Sequence, residues 1–368
     1  MEFQKKILTV VGTRPNFIKI TQLDKELEKY GRYFKHILVH TGQHFDKNMS
    51  DIFFEQFRLR TPDYTMNVKG QSPAAQIGSI IIELDKILVE EKPDLVIVVG
   101  DVNSTMASAI AANKNNIRVA HLESGLRSFD RDMPEEINRL LTDQIADLFF
   151  VTEQSGYDHL INEHVPVSKI FFVGNTMIDT LVAFEREVLA SDIIEKLAIQ
   201  HRPFVLMTMH RPSNVDTKER LEILLDIIEH ICTNKYLVWP IHPRTLQNLK
   251  KFDLSERFEK IDNIILTDPL DYFAFQHLIS KASFIVTDSG GIQEETTFRQ
   301  VPCLTLRENT ERPVTITLGT NTLVEYSSES VISYISQIEN GTYKRGAIPP
   351  YWDGRATERI VAIIKDKI

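Results

Sequence analysis

The chain predicts an α/β protein of two domains, each a parallel sheet wrapped by helices, and three observations carry that expectation. Short β-branched runs bounded by Gly, Asp or His alternate with longer stretches of helical period. The alternation restarts after a charged helical stretch, SDIIEKLAIQHRP. At 368 residues the chain also exceeds one ordinary core of roughly 100–200 residues, so two domains are the default.

In order, the first half predicts strands at Lys6–Val11, His36–His40, Leu95–Val99, Arg118–His121, Leu148–Val151 and Ile170–Val173. Helices fall between them, the clearest over Ala75–Leu88. The second half predicts strands at Phe204–Met209, Leu237–Ile241, Ile264–Thr267 and Phe284–Asp288. The boundary falls between Thr180 and Arg202, which divides the chain into domains 1–185 and 186–354. No fixed-period repeat relates the halves, which excludes a solenoid. Ala356–Lys367 follows the turn-rich IPPYWDG and reads as a final helix; a helix over 355–368 is expected to pack back on the first domain.

Composition narrows the function. Hydrophobic residues at 42% and charged residues at 25% describe an ordinary globular chain rather than a disordered one. A formal charge of -9 argues against a nucleic-acid-binding protein, which shows a basic footprint, so local groups must hold any anion. Only Cys232 and Cys303 occur, both in apolar settings, so no disulfide framework or paired-cysteine zinc site is expected and a reducing cytoplasm fits. The opening MEFQKKILTVVGT reads as a first strand, and no segment approaches the ~20 unbroken apolar residues of a membrane span.

In doubly wound sheets ligands bind beyond the carboxyl ends of the strands, and the informative residues fall there. GTRPNFIK brings Arg14 and Lys19 to a strand-to-helix turn: either an anion-binding turn or an ordinary one with solvated charges. TDSGGIQEE places Ser289, Gly290 and Gly291 at a helix start, where backbone N–H groups and the helix dipole suit a diphosphate; Glu294 or Glu295 then suits ribose hydroxyls. HLESGLRSFDRDMPEEINR gathers Glu123, Glu135, Glu136 and Arg139. Glu135 and Arg139 are i and i+4 and so can pair, or Glu135 and Glu136 are simply the solvated carboxylates of a capped helix start; Glu123 differs, lying directly beyond an apolar strand, an unusual place for a purely structural carboxylate. His210 in MHRPSN and His242 in PIHPRT each end a strand, and neither spacing is that of a metal site.

Taken together and in order, GTRPNFIK, TGQHFD, GDVNST, HLESGLRS, MPEEINR, VGNTMID, HRPSN, HPRT, TDSGGIQEE and ENTERP resemble the non-hydrolysing UDP-N-acetylglucosamine 2-epimerases, from the first strand to about Val324. The resemblance implies two Rossmann-like domains with a central cleft, similar to the B-type glycosyltransferases, in a cytoplasmic homodimer. It implies reversible interconversion of UDP-GlcNAc and UDP-ManNAc: the C2 proton is removed, UDP is eliminated to a 2-acetamidoglucal, and both add back, with no cofactor or metal. By motif, Asp101, Glu123, Glu135 and His210 are the implied catalytic positions. Arg14, Lys19, Arg139, His242, Phe275, Ser289, Gly290, Gly291, Glu295 and Arg312 are the implied substrate-binding positions, Phe275 walling the uracil. Gln43, Arg211 and His242 fit a second, activating site of some bacterial members, but Asp46 and Lys69 stand where that site has Gln and Arg. Asn16 replaces a common Glu, and Pro212-Ser213 follow His210-Arg211 where Arg and Glu are common, which leaves the sugar open. An epimerase of 6-deoxy UDP-sugars, a hydrolysing epimerase, a B-type glycosyltransferase and a non-catalytic UDP-sugar sensor share parts of this pattern.

Overall fold

The computed structural model of the protein describes residues 4–42, 55–68 and 72–368. It divides into two compact units, Met1–Ala183 with Pro350–Ile368, and Phe184–Pro349.

The sheet of the first unit runs through β1 (Lys5–Val11), β2 (Phe34–His40), β3 (Tyr64–Thr65), β4 (Leu95–Val99), β5 (Arg118–Leu122), β6 (Leu148–Val151) and β7 (Ile170–Phe172). The strands pair in parallel in the order β3-β2-β1-β4-β5-β6-β7. Parallel strands are covered on both faces and so read as unbroken apolar runs; β4, LVIVV, is buried throughout. The helices are α1 (Arg14–Lys29), α2 (Pro73–Glu91), α3 (Asn103–Lys114), α4 (Pro134–Ile145), α5 (Gln154–Asn162) and α6 (Thr176–Ala183). Because side chains alternate along a strand, Ile7 and Val11 pack on Phe17, Ile20 and Leu27 of α1, while Leu8 and Val10 pack in a second core with Leu84 and Leu88 of α2. Ser72 caps α2 by accepting from the Ala75 N–H at 3.2 Å, with Pro73 in the first turn.

The second unit repeats the plan. Its strands are β8 (Phe204–Thr208), β9 (Tyr236–Pro240), β10 (Ile264–Thr267), β11 (Phe284–Thr287), β12 (Cys303–Thr305) and β13 (Asn321–Leu323), parallel in the order β10-β9-β8-β11-β12-β13. Its longer helices are α7 (Lys218–Cys232), α8 (Pro243–Lys251), α9 (Tyr272–Lys281), α10 (Gly290–Arg299) and α11 (Ser328–Glu339). Val205 and Met207 face Leu224 and Ile228 of α7, and Leu206 faces Leu278 of α9 and Ile292 of α10. β3, β12 and β13 carry too few residues to leave a periodic signal, and the sequence did not reveal them.

The last helix, α12 (Ala356–Lys367), belongs to the first unit. Its Ile360, Val361 and Ile364 join the core that contains Ile7 and Phe17. The buried Asp179 carboxylate on α6 accepts from the Ala356 N–H at 3.0 Å and the Thr357 N–H at 2.6 Å, satisfying two donors of its first turn. The Trp352 indole donates to the Thr152 carbonyl at 3.0 Å and anchors the approach to the helix.

In each sheet the winding reverses once, between β1 and β4 and between β8 and β11. These are the switch points at which such sheets bind ligands.

Candidate active site

At the β1/β4 switch point the polar groups close into one charge cluster, buried except for the partly exposed Asp101. Lys19, buried on α1, forms an ion pair with Glu123, itself buried just beyond β5. Arg139 of α4, 1% exposed, pairs with Asp101 beyond β4 and comes within 3.7 Å of the other Glu123 oxygen. Two cations thus compensate two carboxylates, as burial of charge demands.

The backbone is shaped around this cluster. Glu123 has φ +69°, a left-handed conformation that costs a side-chain-bearing residue about 1–2 kcal/mol and concentrates at functional sites. Gly100 has φ +68°, and a Cβ there would stand 3.2 Å from Lys19 Nζ and 3.8 Å from Glu123 Oε2, so glycine gives the pair its room. Asn16 is consumed locally: Oδ1 accepts from the Gly12 and Thr13 N–H groups, both at 3.1 Å, and Nδ2 donates to the Val99 carbonyl at 3.0 Å. It therefore ties the β1 turn to the end of β4.

A second buried network, which sequence did not reveal, braces the turn after Glu123. His121 bonds Asp143 through Nδ1 at 2.7 Å and the Gly100 carbonyl through Nε2 at 2.8 Å. Asp143 also accepts from the Gly125 N–H at 3.1 Å and pairs with Arg127 at 2.7 Å. Burial pushes the Asp143 carboxyl up, but His121 and Arg127 outweigh it and hold it below the usual range.

Glu135 does not pair with Arg139 among the described residues: Arg139 points to Asp101 and Glu123, and Glu135 lies exposed in the first turn of α4. The i,i+4 rule gives neighbours on a helix surface, and Asp101 and Glu123 are the stronger partners for a buried guanidinium. The adjacent Glu136 is buried instead and holds the preceding loop, accepting from Ser128 N and Oγ at 2.8 and 2.9 Å and from Phe129 N at 3.2 Å. Arg14 stands exposed at the start of α1.

In the second unit, β8 and β11 pair so that Thr208 is opposite Thr287. His210 and Asp288, each just beyond its strand, thereby become neighbours. His210 Nδ1 lies 2.9 Å from Asp288 Oδ1, and the other Asp288 oxygen accepts from the His210 and Arg211 N–H groups at 3.0 and 2.8 Å. Burial pushes the Asp288 carboxyl up, yet the His210 bond and the two backbone donors leave it below its usual range. A carboxylate on Nδ1 fixes the imidazole and leaves Nε2 as its working nitrogen, on a side chain 49% exposed.

Ser289, Gly290 and Gly291 open α10, half-buried. Glu294 is committed to Arg312 at 2.7 Å, and Glu295 is buried one turn into the helix. Phe275 is half-buried on α9. His242 caps α8, its Nδ1 accepting from the Arg244 N–H at 3.2 Å. Gln43, Asp46 and Lys69 lie outside the described residues. Among the described residues no cluster of His, Cys, Asp or Glu is arranged to hold a metal ion, and no helix is long and apolar enough to cross a membrane.

Each doubly wound unit carries its polar groups beyond the carboxyl ends of its strands, carboxylates and cations in the first and a carboxylate-backed histidine beside a glycine-rich helix start in the second, which is the layout of a nucleotide-binding α/β enzyme. The chain belongs to the UDP-N-acetylglucosamine 2-epimerase family, whose model matches residues 25–365. A UDP-N-acetylglucosamine 2-epimerase of Methanocaldococcus jannaschii is 41% identical, over 98% of this chain and 98% of its own. A UDP-2,3-diacetamido-2,3-dideoxy-D-glucuronate 2-epimerase of Pseudomonas aeruginosa is 39% identical, over 89% of this chain and 90% of its own. The crystal structure of the M. jannaschii UDP-GlcNAc 2-epimerase in complex with UDP-GlcNAc and UDP matches with a TM-score of 0.88 and 39% identity, covering 98% of this chain and 99% of that one. A Rickettsia africae glycosyltransferase, 12% identical, shares the fold at a TM-score of 0.60, covering 99% and 98%.

Proposed function

We propose that this protein interconverts UDP-N-acetylglucosamine and UDP-N-acetylmannosamine without hydrolysing them. The observation that carries the reading is the Lys19–Glu123, Arg139–Asp101 cluster, which sets two carboxylates at one switch point with cations to hold them. The reaction is a proton abstraction at C2 with loss of UDP from C1, followed by return of a proton to the other face of C2 and of UDP to C1. Glu123 and Asp101 are the acid/base candidates, with Glu135 exposed at the adjoining helix start as a third. Lys19 and Arg139 are positioning residues that fix the carboxylates.

The departing diphosphate needs N–H donors and positive charge. Ser289, Gly290 and Gly291 at the start of α10, Arg312 beside it, and His210 through Nε2 are assigned that work, with Arg14 as a further cation. Glu295 is assigned to the ribose and Phe275 to the uracil. Arg211 and His242 are kept as candidates for regulation by a second nucleotide sugar; His242 has its Nδ1 occupied by the α8 cap.

Anion-exchange chromatography of UDP-GlcNAc incubated with the purified protein tests this reading. The expected result is a stable mixture of UDP-GlcNAc and UDP-ManNAc reached from either side. Free ManNAc appearing with equimolar UDP would instead establish hydrolysis.

A further inference from the structure

The start of α10 is flanked by a second guanidinium besides Arg312. Arg307, in the turn after β12, is 8% exposed. Its Nη2 lies 3.2 Å from Glu311 and 3.4 Å from Asn309 Oδ1, but among the described residues its Nε and Nη1 have no hydrogen-bond partner. Leaving such donors unmatched in a buried site is costly, and each instance calls for an explanation.

The unmatched edge faces the glycines. A Cβ built on Gly290 would stand 3.6 Å from Arg307 Nη1, 3.3 Å from Arg312 Nη1 and 3.3 Å from Glu311 Oε1. Glu311 bridges the two guanidiniums, with Oε1 2.6 Å from Arg312 Nη1 and Oε2 3.2 Å from Arg307 Nη2. An anion, the Glu311 carboxylate, thus already sits beside the helix start among donors suited to a phosphate. Burial pulls the Arg307 guanidinium below its usual range; Glu311 opposes this, and Arg211 and Arg312 add to it. Arg312 has a second carboxylate in Glu294, whereas Arg307 pairs with Glu311 alone among the described residues.

We propose that Arg307 is a phosphate-binding residue for the nucleoside diphosphate, and that Glu311 is a resident anion which the diphosphate displaces from it. The inference rests on the UDP-binding role assigned to α10 above. The arriving diphosphate takes the Nε and Nη1 donors of Arg307 and loosens the Glu311 bridge. Glu311 meanwhile keeps the guanidiniums apart and compensated while the site holds no nucleotide. Gly290 is needed because any side chain there would occupy the space into which Arg307 and Arg312 donate.

Isothermal titration of the full-length protein with UDP and with inorganic pyrophosphate tests the proposal in three variants. Arg307→Gln should weaken both ligands by about 10- to 100-fold, the range for a charge-assisted hydrogen bond to a buried group. Arg307→Lys keeps the charge and guards against loss of folding; it should still weaken both, because an ammonium lacks the planar fork. Glu311→Gln should tighten both several-fold by removing the competing anion. Unchanged UDP affinity in the two Arg307 variants overturns the phosphate role. Weaker binding in Glu311→Gln overturns displacement, since Glu311 would then only position the guanidiniums. Wild-type protein that ignores UDP altogether would instead sink the function on which the inference rests.

Discussion

Glu123 shows how one residue carries both strain and chemistry. It is held at positive φ, buried against Lys19 and close to Arg139, and packing alone would favour a glycine or asparagine at such a position. Glu123→Gln should therefore leave the Kd for UDP within a few-fold of wild type. It should lower kcat by about 100-fold or more, the range for loss of an acid/base group; steady-state kinetics beside calorimetry reads both. Equal losses in binding and rate would make Glu123 a structural residue. Glu123 was legible in the sequence because it follows an apolar strand, and His210 because it ends one. Their orienting partners were not. Asp288 meets His210 only because β8 and β11 pair, and Asp143 meets His121 from the far end of α4. Those contacts come from sheet order and helix packing, which local spacing does not encode. Spacing left Glu135 open between a pair with Arg139 and a solvated helix start, and the structure gives the second, with Arg139 claimed by Asp101 and Glu123.

Among the elements, strands buried on both faces announced themselves through unbroken apolar runs, and β4 and β6 fall on the residues expected, as does the half-buried edge strand β10. The short strands β12 and β13 did not, yet they complete the sheet beside α10 and bring Arg307 and Arg312 to its start. The final helix gives a test at this scale. Burying Ile360, Val361 and Ile364 against β1 and α1 is worth roughly 1.5–3 kcal/mol for each side chain. Removing residues 356–368 should therefore lower the thermal midpoint of the first unit sharply and expose dye-binding apolar surface. A truncated protein that melts like the full chain would contradict the packing of α12.

For the whole molecule, the buried titratable groups set the response to acid. Burial pushes His40 down to about 4, from about 6.5 for a solvated imidazole, so the unfolded chain binds its proton first. That contribution to stability is present above pH 6.5 and is lost as pH falls toward 4. Asp143 and Asp288 are also held below the usual carboxylate range, so their contributions are present above an ordinary aspartate pKa and disappear as pH falls through the lowered values. The thermal midpoint should thus decline gently on acidification below pH 6.5 and more steeply below about 4. In His40→Phe the gentle part should vanish. An unchanged profile in that variant would contradict the burial assigned to His40.

In the proposed reaction the sugar loses and regains its C2 proton while UDP is retained and returned. Proton NMR of UDP-GlcNAc incubated with the protein in deuterated water tests it most directly. Deuterium should appear at C2 of both UDP-GlcNAc and UDP-ManNAc, with no build-up of free sugar. UDP-GlcNAc recovered with its C2 proton intact and no UDP-ManNAc formed would contradict it.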